Sequence, residues 1–342
     1  MDTQINLFDH NAEYGQLVFS IGALLSEARG KVAVAVNNVL VDTYWNIGKH
    51  IVEFEQKGNE RADYGSGLIN RLSRDLTDLY GKGFNRNNLQ YMRKFYLSFP
   101  NCMTLSCKLS WSHYQEILKL DNPLEISFYV HECENAHWSV RELKRQRDSM
   151  LFHRVAAGKD KKEILQLANK GVELQKPEDI LRDPYILEFV GIPEQRPFKE
   201  GELEEAIERN MGRFLLELGK GFAFYGRQHR ISLGGRHLYV DLVFYNVILK
   251  CFVLIDLKRG EVRHEDIGQM NLYLNYFRHE VNREGDNEPI GIVLGASGDR
   301  LTMQYAMEGI SNQLFVSRYQ LYLPTREQME QELNRLLKES DN

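Results

Sequence analysis

Three charged side chains stand out because of the residues around them. Asp241 lies inside the apolar run YVDLVFY, and Asp256 and Lys258 close a second one, FVLIDLK. A carboxylate inside a core strand is costly unless something pairs with it. Strand alternation puts Asp256 and Lys258 on one face, and two neighbouring strands can bring Asp241 and Asp256 to a single cation. Magnesium suits such a set, with one or two carboxylates, retained waters and phosphate oxygens; manganese is the alternative. Such an ion polarises a phosphate and lowers the pKa of a bound water. Lys258 would hold or help deprotonate that water and offset charge in the transition state. Alone, Asp256-Leu257-Lys258 is short and fits a plain salt bridge equally well. Asp241, upstream across a hairpin, strengthens the chemical reading.

Two further features add to it. The helix before the strands carries Glu204, with Glu205 and Glu208 as alternatives, since 204 and 208 share a face. After the second strand come Gln269 and Tyr273, four apart on one helical face; an amide and a hydroxyl there suit contact with a phosphate backbone. Gln228, in GRQHR on the first strand, is placed either to line the site or to face solvent. Gly219-Lys220-Gly221 has no phosphate-loop spacing and precedes a strand, so it reads as a helix stop.

The elements that must hold these residues divide the chain. Its first half has helical periodicity: residues 16–28, 31–56, 66–79, 86–99, 111–120, 123–135 and 140–150. Gly81 and Gly83 end one helix, Asn85 is placed to cap the next, and the pair resembles a helix-turn-helix. Between Arg71 and Lys94 six basic residues face two acidic ones. Arg86, Asn87, Asn88, Gln90, Arg93 and Lys94 would meet phosphates or base edges, and RELKRQR (141–147) is a second basic candidate. A solvated face is the competing account of both segments. Residues 177–190 read as a helical lead-in.

From residue 200 the period changes. A helix over 200–218 precedes strands at 222–232, 237–245, 250–257 and 290–295, with a helix at 264–281 between the last two. Gly234-Gly235 marks a hairpin. A helix near 300–312, a short strand LFVSRY and a charged helix at 324–339 follow. The order is that of a mixed α/β domain.

With 342 residues the chain is long enough for two domains. Residues 1–170 carry 22 Lys+Arg against 20 Asp+Glu, and residues 171–342 carry 21 against 28. An acidic second half does not contradict phosphate chemistry, because bound cations offset carboxylates. No secretory signal and no membrane-length apolar run is visible. Cys102, Cys107, Cys133 and Cys251 form no CxxC pair. They read as reduced thiols of a cytoplasmic protein.

The stretches LEEAIERNMGRFLLELGKGFAFYGRQHRI, YVDLVFYN, CFVLIDLKRGE and DIGQMNLYL together resemble the PD-(D/E)XK nuclease superfamily, and more closely its YhcG-type bacterial proteins. YGSGLINRLSRDL and KGFNRNNLQYMRKFY resemble the helical, winged-helix-like region that precedes the nuclease in that family. The resemblance spans nearly the whole chain. It implies an all-α N-terminal domain (1–165) that binds nucleic acid, and an α/β restriction-endonuclease-like C-terminal domain (166–342) with a mixed central sheet. It implies Glu204, Asp241 and Asp256 as metal ligands, the last assisted by the Leu257 carbonyl, with Lys258 as the signature lysine. Gln269 and Tyr273 look like the Gln-x-x-x-Tyr element of the RecB-like branch. The second acid is Asp where close relatives are expected to carry Glu, one methylene longer. The expected activity is magnesium-dependent hydrolysis of DNA, with RNA as the alternative substrate and a homo-oligomer, a dimer, as the assembly. A catalytically silent nucleic-acid-binding or oligomeric interaction protein that keeps the fold is the other reading.

Overall fold

The structure, a computed structural model, describes residues 12–57, 65–101, 109–156, 159–182, 184–193, 197–297, 313–323 and 327. The helices expected near 300–312 and 324–339, and Cys102 and Cys107, lie outside them, Glu327 apart. Among the described residues no helix is long and apolar enough to cross a membrane. The chain divides into two compact units, residues 1–126 and 127–342.

The first unit is helical: α1 (Ala12–Lys57), α2 (Gly65–Tyr80), α3 (Arg86–Ser98), α4 (Trp111–Ile117) and the start of α5 (Pro123–Ala136). The two helices expected over 16–56 are one continuous helix. Asn85 caps α3, its side chain accepting the Asn88 N–H at 2.9 Å. Leu89, Met92 and Phe95 form the buried stripe of α3, and Leu89 and Met92 pack with Ile51 of α1. Gly48 allows this crossing, because a Cβ there would collide with the Met92 carbonyl oxygen.

On the polar face of α3, three of the residues expected at nucleic acid have partners within the fold. Arg93 Nε pairs with Glu55 at 2.7 Å, and Lys94 Nζ with Asp121 at 2.7 Å. Asn88 donates to the Gly83 carbonyl and accepts from Trp111 Nε1 at 3.1 Å and Gln115 Nε2 at 3.0 Å. These three side chains are held within the fold, whereas Arg86 is exposed.

The second unit opens with the rest of α5, then α6 (Val140–Asp148), α7 (Leu151–Ala156) and α8 (Lys161–Lys170). Helix α8 starts with a capping box. Asp160 accepts the Glu163 N–H at 2.8 Å, and Glu163 accepts the Asp160 N–H at 3.1 Å. The expected helical lead-in at 177–190 is instead a 3-10 turn (Pro177–Ile180), a two-residue strand β1 (Tyr185–Ile186) and a second 3-10 turn (Glu188–Val190). The helix expected over 200–218 breaks at Asn210 into α9 (Glu200–Arg209) and α10 (Met211–Leu218). There the Asn210 side chain donates to the Ala206 carbonyl at 2.9 Å.

The strands β2 (Phe222–Leu233), β3 (Arg236–Asn246), β4 (Cys251–Glu261), β5 (Ile290–Ser297) and β6 (Leu314–Gln320) follow, with α11 (His264–Tyr276) after β4 and a π turn at Phe277–Val281. The sheet order is β1-β6-β5-β4-β3-β2. Pairs β2/β3 and β3/β4 are antiparallel; β4/β5, β5/β6 and β1/β6 are parallel. Gly234 and Gly235 both have positive φ, as a two-residue turn between Leu233 and Arg236 requires. Leu203, Ile207, Phe214 and Leu218 of α9 and α10 cover one face of the sheet, over Leu242, Phe244, Val253, Ile255 and Leu257. Ile267, Met270, Tyr273 and Leu274 of α11 cover the other, over Val243, Leu254 and Val293. The buried thiols of Cys133 and Cys251 are free.

A buried ionic network ties α6 and α7 to α10. Glu217 accepts from Arg145 at 3.1 Å and from the Ile186 N–H at 2.9 Å, and pairs with Arg154 at 2.5 Å. The side chains of Arg154 and Glu217 are both 0% exposed. Arg145 also pairs with Glu188 at 3.2 Å, and Arg147 with Asp148 at 2.6 Å. Much of the basic character of 141–147 is therefore used inside the unit. Burial alone would push the Glu217 carboxyl up, but the two guanidinium groups and the hydrogen bonds outweigh it and hold the group below its ordinary value.

Removing one partner leaves a buried charge uncompensated. Glu217→Ala is expected to cost about 3–5 kcal/mol in chemical denaturation, against a few tenths for Glu205→Ala on the exposed face of α9. The lowered carboxyl also fixes a sign. Its contribution is present above the unfolded value of 4.5 and is lost as pH falls through the folded value. Denaturation midpoints of wild type and Glu217→Gln should therefore converge on acidification below that point.

Candidate active site

The site forms where the β3/β4 ladder stops. Its last pair is Leu242 with Ile255. One residue beyond, Asp241 and Asp256 would be next, but the strands part, while β4 continues to pair with β5 through Asp256, Leu257 and Lys258. The Leu257 N–H, without a β3 carbonyl opposite, donates to Asp241 Oδ2 at 2.8 Å. A side chain has taken the place of a main-chain acceptor, and this draws the Asp241 carboxylate into the gap.

Asp256 is 2% exposed, and its carboxyl lies within hydrogen-bonding reach of Asp241. Lys258 Nζ sits 2.7 Å from Asp256 Oδ2 and 3.8 Å from Asp266 Oδ1. The Lys258 ammonium is thus the charged partner of Asp256 Oδ2. Burial, then the negative charge of Asp241, push the Asp256 carboxyl from 3.8 up to about 7, against the pull of Lys258. Burial raises Asp241 as well, opposed by the Leu257 N–H and the Lys258 charge and reinforced by Glu204. Burial would lower Lys258, but Asp256, Asp241 and Asp266 overcome it and hold the ammonium above its ordinary value. In this structure Lys258 is a charged donor, not a free base.

Gln228 joins the helix acid to the strand acid. Its Nε2 donates to Glu204 Oε2 at 2.6 Å and to Asp241 Oδ1 at 3.0 Å. It stands opposite Asp241, between the pairs Arg227–Leu242 and His229–Val240. Its φ of +46° is rare for a residue with a side chain. A bulge at Tyr225 lies just before it, between the pairs of Phe224 and Gly226. The alternatives to Glu204 have other partners: Glu208 pairs with Arg227, and Glu205 is 4.0 Å from Arg209.

Tyr273 is fully buried and donates its hydroxyl to the Tyr239 carbonyl at 2.8 Å, while accepting from the Gln269 amide. The expectation that both present themselves to a ligand is revised for Tyr273, which braces α11 against β3. Gln269 is half-buried. Sequence reasoning missed Asp266. Its carboxylate accepts the Arg263 N–H at 2.8 Å at the start of α11 and stands by Lys258; a lone acid in a first helical turn gives no signal beyond capping.

Among the described residues no group of three or more His, Cys, Asp or Glu side chains is gathered closely enough to hold a metal ion. The structure brings together Asp241 and Asp256, with Glu204 linked through Gln228. The pair suits a divalent cation. Two neighbouring carboxyls, Asp256 buried and Asp241 half-buried, need a shared proton or more positive charge than the one Lys258 ammonium supplies.

A raised carboxyl contributes stability that is complete below the unfolded value of 3.8 and is lost as pH rises through the folded value near 7. In buffer with chelator, Asp256→Asn should therefore raise the melting temperature clearly more at pH 8 than at pH 5, where the loss has only begun. An equal shift at both values would contradict the protonated pair.

Residues 178–334 match the YhcG PDDEXK nuclease domain, and residues 20–154 match the DUF1016 N-terminal domain. The chain is 36% identical to YhcG of Escherichia coli (strain K12) over 356 residues, covering 95% of this chain and 94% of that protein. Among solved structures, a repair endonuclease from Pyrococcus abyssi is matched at a TM-score of 0.26 and 19% identity, over 39% of this chain and 50% of that one. A complex of EndoMS with double-stranded DNA is matched at a TM-score of 0.26 and 19% identity, over 40% and 51%. These are remote likenesses, and this chain spans about half the length of those structures. Both regions occur here in order, with a relative aligned almost end to end, and the chain belongs to the YhcG family of PDDEXK nucleases.

Proposed function

We propose that the chain hydrolyses DNA phosphodiester bonds in a reaction that needs magnesium or manganese, and that it acts in the cytoplasm. The observation that carries this reading is the Asp241–Asp256 pair, Asp256 buried and Asp241 half-buried, with the Lys258 ammonium 2.7 Å from Asp256 in the gap between parted strands. Asp241 and Asp256 would hold the cation, with the Leu257 carbonyl and with Glu204 through its neighbour Gln228. When bound, the cation polarises the scissile phosphate and favours ionisation of water.

The chain's own residues do the rest. Lys258 donates to an attacking water or a phosphate oxygen and offsets negative charge as it develops. Gln228 keeps Glu204 and Asp241 turned towards each other. Gln269, fixed by Tyr273, offers its amide to the backbone. Residues 222–240 of the β2–β3 hairpin contain three Arg and two His and no Asp or Glu. Since β2 is an edge strand, a polyanionic backbone can approach along it towards Asp241. In the N-terminal unit, Arg86 is the candidate for a phosphate contact; Asn88, Arg93 and Lys94 would first have to give up the partners described above.

Cleavage of duplex DNA, single-stranded DNA and RNA with magnesium, manganese or chelator tests the reading. Asp256→Asn and Lys258→Met should each lower metal-dependent cleavage of DNA by about 100-fold or more, with melting curves confirming that both variants are folded. Equal cleavage by wild type and both variants would remove the catalytic assignment. Cleavage of RNA alone would replace the substrate.

A further inference from the structure

The first 30 residues or so of α1 pose a problem that the other described residues of the first unit do not solve. Beyond Val41 the helix is anchored, with Val41, Trp45, Ile51 and Val52 at 4–7% exposure. Before it, eleven large apolar side chains between Tyr14 and Leu40 are 42–77% exposed. Monomeric proteins seldom leave so continuous an apolar surface in water.

The pattern of that surface identifies what covers it. With Val18 as position a of a heptad, Leu25, Val32 and Val39 recur at a, and Ile21, Ala28 and Ala35 at d. Eight of the eleven exposed apolar residues fall on a, d, e or g of this frame, whereas Gln16, Ser20, Ser26, Glu27 and Asn37 lie on the opposite side. A seam sustained for three heptads is the signature of one helix laid along another. Over the 22 residues from Val18 to Val39 it runs about 33 Å.

We infer that α1 pairs in parallel with α1 of a second copy of this chain. Charge supports self-pairing. The two charged e and g residues within the seam are Arg29 and Lys31, and in parallel register they face Leu24 and Val36 of the other copy instead of each other. Lys31 is also neutralised within its own helix by Glu27 at 2.7 Å. Area supports it too. Covering the eight exposed seam side chains on both copies, at roughly 50 Å² each, buries on the order of 800 Å², and Val18, Ala28 and Ala35 along the same seam bring it to the ~1,000 Å² of a specific interface. The pairing is independent of the proposed nuclease reaction.

Sedimentation of the full chain at tens of micromolar is the test. Wild type should run at twice the chain mass. Leu25→Glu combined with Val32→Glu should run as a monomer, while Ala23→Glu, on the opposite side, should remain a dimer. Leu25→Cys should form a disulfide-linked dimer on mild oxidation, above the level given by the native cysteines; this readout holds even if the glutamate variant folds poorly. A monomeric wild type overturns the inference. So does a dimer that survives both seam substitutions, or a Leu25→Cys chain that does not cross-link.

Discussion

Two carboxyl groups sit against each other inside an apolar sheet, and one ammonium group lies within reach. A single positive charge cannot neutralise both acids. Without a further cation the pair retains a proton, which is why Asp256 is displaced to about 7. Every other feature of the site serves this imbalance. The ladder ends at Leu242–Ile255 so that Asp241 can enter the gap. The Leu257 N–H fixes one Asp241 oxygen and Gln228 the other. The strand acids and Lys258 sit on rigid central strands, where small displacements are costly.

The left-handed backbone at Gln228 fits the same logic. Unfavourable conformations persist where the surroundings over-determine them. Here the surroundings are an edge strand, a bulge at Tyr225 and two carboxylates competing for one amide. Tyr273 plays a quieter part: its buried hydroxyl pins α11 to the Tyr239 carbonyl, two residues from Asp241.

The division of the molecule also has a physical cause. The DUF1016 match runs to residue 154, but the compact units divide at 126/127. Helices α6 and α7 carry Arg145 and Arg154, and Glu217 of α10 binds both. A fully buried carboxylate without those guanidinium groups would be untenable, so the end of the first family region is fastened into the unit that holds the sheet.

The sequence by itself determined strands β2 to β6, the hairpin at Gly234-Gly235, most of the helices and the acids that stand in apolar runs. Those are encoded locally, by apolar periodicity, by glycines that accept positive φ, and by charges in apolar company. It missed α8, β1 and the break at Asn210, where a capping box, a two-residue strand and one side-chain hydrogen bond carry too little local signal. Tertiary structure alone decided which groups are free and which are spent. Arg93, Lys94 and Asn88 have the composition of a nucleic-acid face, yet the side chains that engage them lie between 23 and 38 residues away along the chain. Glu204 is set apart from Glu205 and Glu208, which face Arg209 and Arg227, by the Gln228 amide that reaches it. Charge is a property of a residue, but its availability depends on what the fold places beside it, and that cannot be read from neighbours in sequence.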